Sequence, residues 1–402
     1  MSCFAQDEKL ERPKLVIGIV VDQMRYDYLY RYYDKYTENG AFKRLMNEGF
    51  NLKNTHYNYI PTFTAPGHTS IYTGTTPAYH GIISNTWYDK VNKKKVYCVT
   101  DSTQRTVGTS TKHGQRSPHR MQVNTITDQL RIGTQFKSKT IGISIKDRSS
   151  ILPAGHTANA AYWYDIEEGK YISSSFYMDK LPDWVKEFND RKLPDEYLAG
   201  KWETLLPIEE YTESRQDKSE YEYTLIEGQK DSFPYNLSKF DKKTKYEKLR
   251  STPFGNSLVI EMCKAAILNE KLGAEKQRTD FLAMSFSSTD LIGHNQGPHS
   301  IEVEDTYLRL DKELGAFLDF LDKEIGKGEY LIFLSADHAA AKNPLYLQSK
   351  KLPTDFMLAI PCLNGLIGHL NTKYGEKQWI EHISSSTGSV FLNHKLIREE
   401  KQ

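Results

Sequence analysis

Residues 14–21 (KLVIGIVV) form a continuous apolar run, the pattern of a strand buried on both faces of a sheet. Residues 139–145 (KTIGISI), 279–286 (TDFLAMSF) and 330–334 (YLIFL) repeat that pattern. Helical patterning fills the intervals. Residues 28–48 place Phe42, Leu45 and Met46 on one face, residues 255–270 form a second helix, and a third runs from Ile301 to about Ile325. In the third, Leu308, Leu310, Leu314, Phe317, Leu318 and Leu321 recur at helical spacing. Strands alternating with helices predict an α/β fold, a mainly parallel sheet flanked by helices. Residues 151–245 break the rhythm. They are rich in Tyr, Trp, Lys and Glu, show little strand patterning and hold a polar block at 209–222, so they read as an insertion or cap over the core.

Polar residues stand where the apolar runs stop. Asp22 closes the first run, Lys146-Asp147-Arg148 follow the second, Asp290 follows the third, and Asp337-His338 follow the fourth. An open α/β sheet places its catalytic groups just beyond the carboxyl ends of its strands. Thr64 precedes Ala65-Pro66, and proline favours the first turn of a helix, so Thr64 is expected to cap a helix starting there.

Composition narrows the function classes. With 402 residues the chain can bury a large core, and a net charge of +1 argues against a nucleic-acid binder. The 26 tyrosines, among them Tyr26, Tyr28, Tyr30, Tyr32 and Tyr33, read first as amphipathic packing beneath loops and second as ligand-stacking groups. No segment reaches the roughly 18 apolar residues of a membrane span. Residues 1–6 (MSCFAQ) are too short for a signal peptide, although Cys3-Phe4-Ala5-Gln6 reads as the tail of one. Cys3, Cys98, Cys263 and Cys362 lack C-x-x-C spacing, which argues against a thiolate zinc site.

Taken singly, Asp290-x-x-x-His294 and Asp337-His338 are weak signals. Delivered by separate strands together with Asp22, they offer carboxylate oxygens and imidazole nitrogens suited to zinc. Two such ions about 4 Å apart can clamp both the attacking and the leaving oxygen in phosphoryl displacement. A threonine hydroxyl needs activation before it can attack, and a metal ion or a helix N-terminus provides it.

The segments Thr64-Ala65-Pro66-Gly67-His68, Gly81-Ile82-Ile83-Ser84-Asn85, Asp290-x-x-Gly293-His294 and Ala336-Asp337-His338 resemble the alkaline phosphatase superfamily. Lys146-Asp147-Arg148, followed by Leu152-Pro153-Ala154-Gly155-His156-Thr157-Ala158-Asn159, resembles its phosphate-irrepressible bacterial alkaline phosphatases, periplasmic phosphomonoesterases of broad specificity. The resemblance runs from about Lys14 to the end of the chain. It implies an alkaline-phosphatase-like core, Thr64 as the nucleophile that becomes phosphorylated, and two zinc ions. Asp22, Asp337 and His338, with Thr64, would hold one ion, and Asp290 with His294 the other. Asn85, Lys146 and Arg148 would contact the phosphoryl oxygens. An arginine fork and a lysine also suit the two charges of a monoester on general grounds.

A phosphodiesterase or phosphonate hydrolase on the same scaffold is the alternative, and a catalytically impaired fragment is a third. The sulfatase pattern is excluded because Thr64 and His68 stand where Cys or Ser and Arg belong. The family completes its second zinc with a further histidine in a His-Gly context. His369, His382 and His394 lack that context, so the chain reads as C-terminally truncated. The expected division is a core at 12–150 and 246–345, a cap at 151–245 and an incomplete second cap segment at 346–402. Small phosphate monoesters are the expected partners, without nucleic acid, and the expected location is periplasmic or secreted.

Overall fold

Seven strands build the central sheet: β1 (Leu15–Val21), β2 (Thr106–Val107), β3 (Thr140–Ser144), β4 (Ala160–Asp165), β5 (Lys170–Ser174), β6 (Asp280–Phe286) and β7 (Tyr330–Ser335). Their spatial order is β7-β1-β6-β3-β4-β5-β2. The pairs from β7 through β4 are parallel, and β5 and β2 are added antiparallel. The computed structural model describes residues 12–217, 222–229, 232–355, 359–384 and 387–400. Residues 1–6 and part of the polar block at 209–222 lie outside that set.

The continuous apolar runs are explained by the layers above and below the sheet. In β1, Leu15, Ile17, Ile19 and Val21 face the large core, while Val20 joins Tyr72, Phe281 and Ala283 on the opposite face. The flanking helices are α1 (Ala41–Glu48), α2 (Thr64–Thr73), α3 (Asp147–Ala154), α4 (Phe254–Glu270), α5 (Ser288–Gln296) and α6 (Ile301–Leu321). All six apolar residues expected on one face of α6 are buried. Each such side chain contributes about 1.5–3 kcal/mol on leaving water, so α6 is a principal wall of the core.

Two expectations change. The helix predicted over 28–48 is interrupted: Tyr28–Arg31 and Tyr33–Lys35 are short turns, and α1 begins only at Ala41. Asp311 on α6 is responsible, because its carboxylate accepts from Thr37 N at 3.0 Å and Phe42 N at 2.9 Å. Gly40 lies so close to it that a Cβ there would meet Asp311 Oδ2 at 1.9 Å. Tyr28, Tyr32 and Tyr36 turn inward against Tyr307 and Phe42, so these three tyrosines serve packing.

The expected core–cap boundary at 151 falls inside the core. Residues 160–165 and 170–174 are sheet strands, and α3 runs across the boundary. Aromatic side chains hid β4, because both of its faces are buried: Tyr162 and Tyr164 join one cluster and Trp163 another. Beyond β5 the chain docks on α6 through acidic side chains. Trp202 Nε1 donates to Asp305 at 2.7 Å, Tyr211 Oη to Asp305 at 2.6 Å and Tyr235 Oη to Glu302 at 2.6 Å. Further on, the hairpin Ile380–Ser384/Ser389–Leu392 packs its His382 ring on Tyr88 at 4.4 Å.

Candidate active site

Four neighbouring strands, β7, β1, β6 and β3, end on the same edge of the sheet and deliver the polar groups together. Asp22 follows β1, Asp337 and His338 follow β7, Lys146 follows β3, and α5 carries Asp290 and His294 one turn apart. Asp22 and Asp337 are completely buried, Asp290 and Lys146 nearly so. Oxygens of Asp22 and Asp290 and a nitrogen of His338 lie within 4.8 Å of one another. His338 Nε2 is 3.3 Å from Asp22 Oδ1 and 3.8 Å from Asp337 Oδ2. His294 Nε2 stands 3.1 Å from Asp290 Oδ1 on the exposed side. The geometry forms one continuous group and does not by itself divide the ligands into two sets.

Three carboxylates in so small a volume repel one another, and positive charge must offset that repulsion. Lys146 Nζ bridges Asp22 Oδ2 at 2.7 Å and Asp290 Oδ2 at 2.6 Å. Burial pushes Asp22 up, but Lys146 and His338 outweigh it and hold this carboxyl well below the usual range. Among the described residues Asp337 has no lysine partner, and burial with the Asp22 charge raises it. The buried Asp22 Oδ1 and Asp337 Oδ2 face imidazole nitrogens, His338 Nε2 at 3.3 Å and His68 Nδ1 at 3.1 Å. Buried carboxylate oxygens beside imidazole nitrogens are the donor set a divalent cation such as zinc takes. The residues therefore fit a metal centre.

Thr64 is the first residue of α2 and almost fully buried. It does not cap the helix as expected. Phe63 holds the cap position in extended backbone, and no side-chain cap bond is made. Asn85 substitutes, its Oδ1 accepting from Ala65 N at 2.8 Å. The Thr64 hydroxyl is thus spared a structural bond, while the N-terminal partial charge of α2 remains beside it. Gly67 brings α2 against the carboxylate group, since a Cβ there would lie 2.4 Å from Asp337 O. Arg148, at the start of α3, donates Nη1 to Tyr97 Oη at 3.0 Å, and its buried Nε has no partner.

Two supporting residues escaped the sequence reading. Gln23 adopts a left-handed backbone at φ 66°. From there its N–H donates to Asp337 Oδ1 at 3.1 Å and its Nε2 to Asp290 Oδ1 at 2.8 Å. A glutamine after a strand carries no signal for that role. His68, one turn into α2, contacts Thr64 O at 2.8 Å, Ser285 Oγ at 2.7 Å and Asp337 Oδ2 at 3.1 Å. It ties the helix of Thr64 to two strand ends. His369, His382 and His394 sit on the Ala359–Tyr374 helix, the distal hairpin and the His394–Glu399 helix, and none of them belongs to the carboxylate group.

An α/β sheet with a buried acidic centre at its strand ends and a threonine at a helix N-terminus is a hydrolase architecture. The chain belongs to the type I phosphodiesterase / nucleotide pyrophosphatase family, which matches residues 16–397, within the alkaline phosphatase superfamily. It is 48% identical over 393 residues to alkaline phosphatase PafA of Elizabethkingia meningoseptica, covering 97% of this chain and 71% of that protein. Alkaline phosphatase PhoV of Synechococcus elongatus is 54% identical over 343 residues, covering 85% and 62% respectively. A Myroides odoratus protein named calcium-transporting ATPase is 49% identical over 403 residues, covering 99% and 73%. The crystal structure of wild-type PafA superposes with a TM-score of 0.92 at 47% identity, over 97% of this chain and 74% of that one.

Proposed function

We propose that this chain is a zinc-dependent alkaline phosphatase that hydrolyses phosphate monoesters through a phosphothreonine at Thr64. The observation that carries the reading is the buried group of Asp22, Asp290, Asp337 and His338, held against the N-terminus of α2 by Gly67. Similarity to PafA and PhoV supports the same reaction class.

Thr64 Oγ attacks phosphorus, the ester P–O bond breaks, and the alcohol leaves with the bond's electrons and a proton. Water then attacks the phosphothreonine and releases inorganic phosphate, returning the proton to Thr64. Bound zinc supplies positive charge that lowers the threonine pKa and offsets charge on the leaving oxygen. Asp22, Asp337 and His338 with Thr64 would hold one ion, and Asp290 with His294 the other, a site one histidine short in this chain.

The remaining roles belong to the chain itself. An ammonium has three donors. Lys146 uses two on Asp22 and Asp290, which leaves one for a phosphoryl oxygen. Arg148 has five N–H donors in a fixed fork, of which Nε is unused. Asn85 gives Oδ1 to Ala65 and keeps its amide N–H groups for the same phosphoryl group. Together they match the two negative charges of a monoester better than the single charge of a diester. Gln23 and His68 hold the carboxylates in register.

The family also contains phosphodiesterases by name, so substrate class is the decisive test. Turnover of p-nitrophenyl phosphate should far exceed that of its bis ester, and atomic spectroscopy should find zinc in the purified protein. A preference for the diester refutes the monoesterase reading. No described helix is long and apolar enough to cross a membrane. Periplasmic or secreted location is part of the proposal, as are caps formed by the segments after β5 and after residue 346.

A further inference from the structure

Beside Lys146 the strand ends open into a cleft of about 330 Å³, whose polar lining includes Arg116, Asp147, Arg148 and Arg250 together with His113, which pairs with Asp165 and Glu167. Tyr97 and Trp163 supply aromatic wall. Three guanidinium groups therefore surround a cavity that contains one carboxylate. Asp147 is already engaged on both oxygens: Oδ2 accepts from Arg116 Nε at 2.8 Å, and Oδ1 accepts from Tyr97 Oη at 2.5 Å and Arg148 N at 2.7 Å.

Arg250 is left poorly compensated. Its nearest carboxylate is Glu247, half-exposed and 3.6 Å away, and its Nε reaches only Glu247 O at 3.4 Å. Burial pushes this guanidinium below its ordinary pKa; Glu247 and Asp147 offset part of that, and the neighbouring Arg148 charge adds to it. Burying like charges with unsatisfied donors costs stability. A ligand that brings negative charge removes the cost.

We propose that this cleft is a second anion subsite, which receives a carboxylate or second phosphoryl group carried by the alcohol part of the substrate. Resting on the monoesterase reading, this narrows the substrate class to monoesters with another anionic group a few bonds beyond the ester oxygen. The first phosphoryl group lies at Lys146 and Arg148, and the second anion is held between Arg250 and Arg116. Trp163 and Tyr97 flank the intervening carbon chain.

Equilibrium binding to the zinc-loaded enzyme tests the subsite without turnover. The probes are phosphonoacetate, 3-phosphonopropionate, 4-phosphonobenzoate and 1,3-propanediyl bisphosphonate, each against the alkyl or aryl phosphonate of equal length that lacks the second anionic group. At least one charged probe should bind about tenfold more tightly than its counterpart, the effect of one charge-assisted contact. The carboxylate and bisphosphonate arms show which anion is preferred. Arg250→Gln should reduce the advantage below about threefold, and Arg250→Lys should keep most of it. No advantage in the wild type, or an undiminished one in Arg250→Gln, overturns the subsite. If the monoesterase reading fails instead, p-nitrophenyl phosphate is not turned over while the charge-dependent advantage persists.

Discussion

Gly67→Ala tests whether Thr64 and the carboxylate group act as one unit. The added Cβ would lie 2.4 Å from Asp337 O and 2.7 Å from Asp337 Cβ, where ordinary contact begins at 3.4 Å. Both obstacles belong to a residue fixed by Gln23 N and His68, so neither can swing aside like a surface side chain. Relief requires α2 to retreat from β7 by about 1 Å, carrying Thr64 with it. Overpacking of this kind costs about 1–3 kcal/mol of stability. Displacing a reacting group by about 1 Å costs on the order of 100-fold in rate. The assay is kcat/KM on p-nitrophenyl phosphate, with thermal unfolding and zinc content measured on the same sample. Activity should fall on the order of 100-fold in a folded, zinc-containing protein. A folded Gly67→Ala enzyme with activity within twofold of wild type refutes the reasoning.

Thr64→Ala should abolish the phosphorylated species detected by mass spectrometry of acid-quenched enzyme while zinc content stays near the wild-type level. A surviving phosphoenzyme removes Thr64 from its role. Arg148→Ala should depress monoesterase activity by about 2–4 kcal/mol of transition-state stabilisation and diesterase activity much less, so equal losses count against phosphoryl recognition. Away from the site, Asp128 accepts from Thr125 N and Thr157 N and contacts His156 Nδ1 at 3.1 Å. Burial pushes Asp128 up, but His156 and the two N–H groups hold it at about 2, while the Asp128 hydrogen bond raises His156. The Asp128 contribution is present above the ordinary carboxylate pKa of about 3.9 and is lost as pH falls through about 2; that of His156 is complete below about 6.5 and is lost as pH rises through its raised folded value. His156→Gln should therefore cost more stability at pH 5.5 than at pH 9, read as the larger fall in melting temperature. An equal or larger fall at pH 9 overturns the assignment.

The residues most legible in the sequence were those at strand ends. A strand buried on both faces announces itself as an apolar run, and the polar residue that ends it is conspicuous, so Asp22, Lys146 and Asp337 stood out before any geometry was known. The structure brings these groups together, with Asp290, in one buried centre. β4 was not legible because its buried faces are tiled with Tyr and Trp, which resemble loop composition, and β5 because its five residues KYISS carry only Tyr171 and Ile172 as apolar signal. The break before α1 was hidden for another reason: Asp311, far away in sequence, supplies the hydrogen bonds that stop one turn and start the next. Gln23 was silent because a left-handed glutamine has no local pattern. Arg250 was silent because its meaning depends on Arg148 across the cleft.

Lys146 divides two electrostatic territories. On one side stand Asp22, Asp290 and Asp337, three carboxylates with Lys146 and His338 as their positive partners. On the other stand Arg116, Arg148 and Arg250, three guanidiniums lining a cleft with Asp147. Each territory is unfavourable alone in a medium where charges are poorly screened. On the proposed reading a divalent cation would satisfy the first and an anionic substrate the second. Because Lys146 touches Asp22 and Asp290 and lines the cleft, a cation held by those carboxylates would compete with its ammonium and leave more of its donors for an anion. Metal occupancy and anion affinity would then be coupled through Lys146, and anion binding should weaken when the metal is stripped.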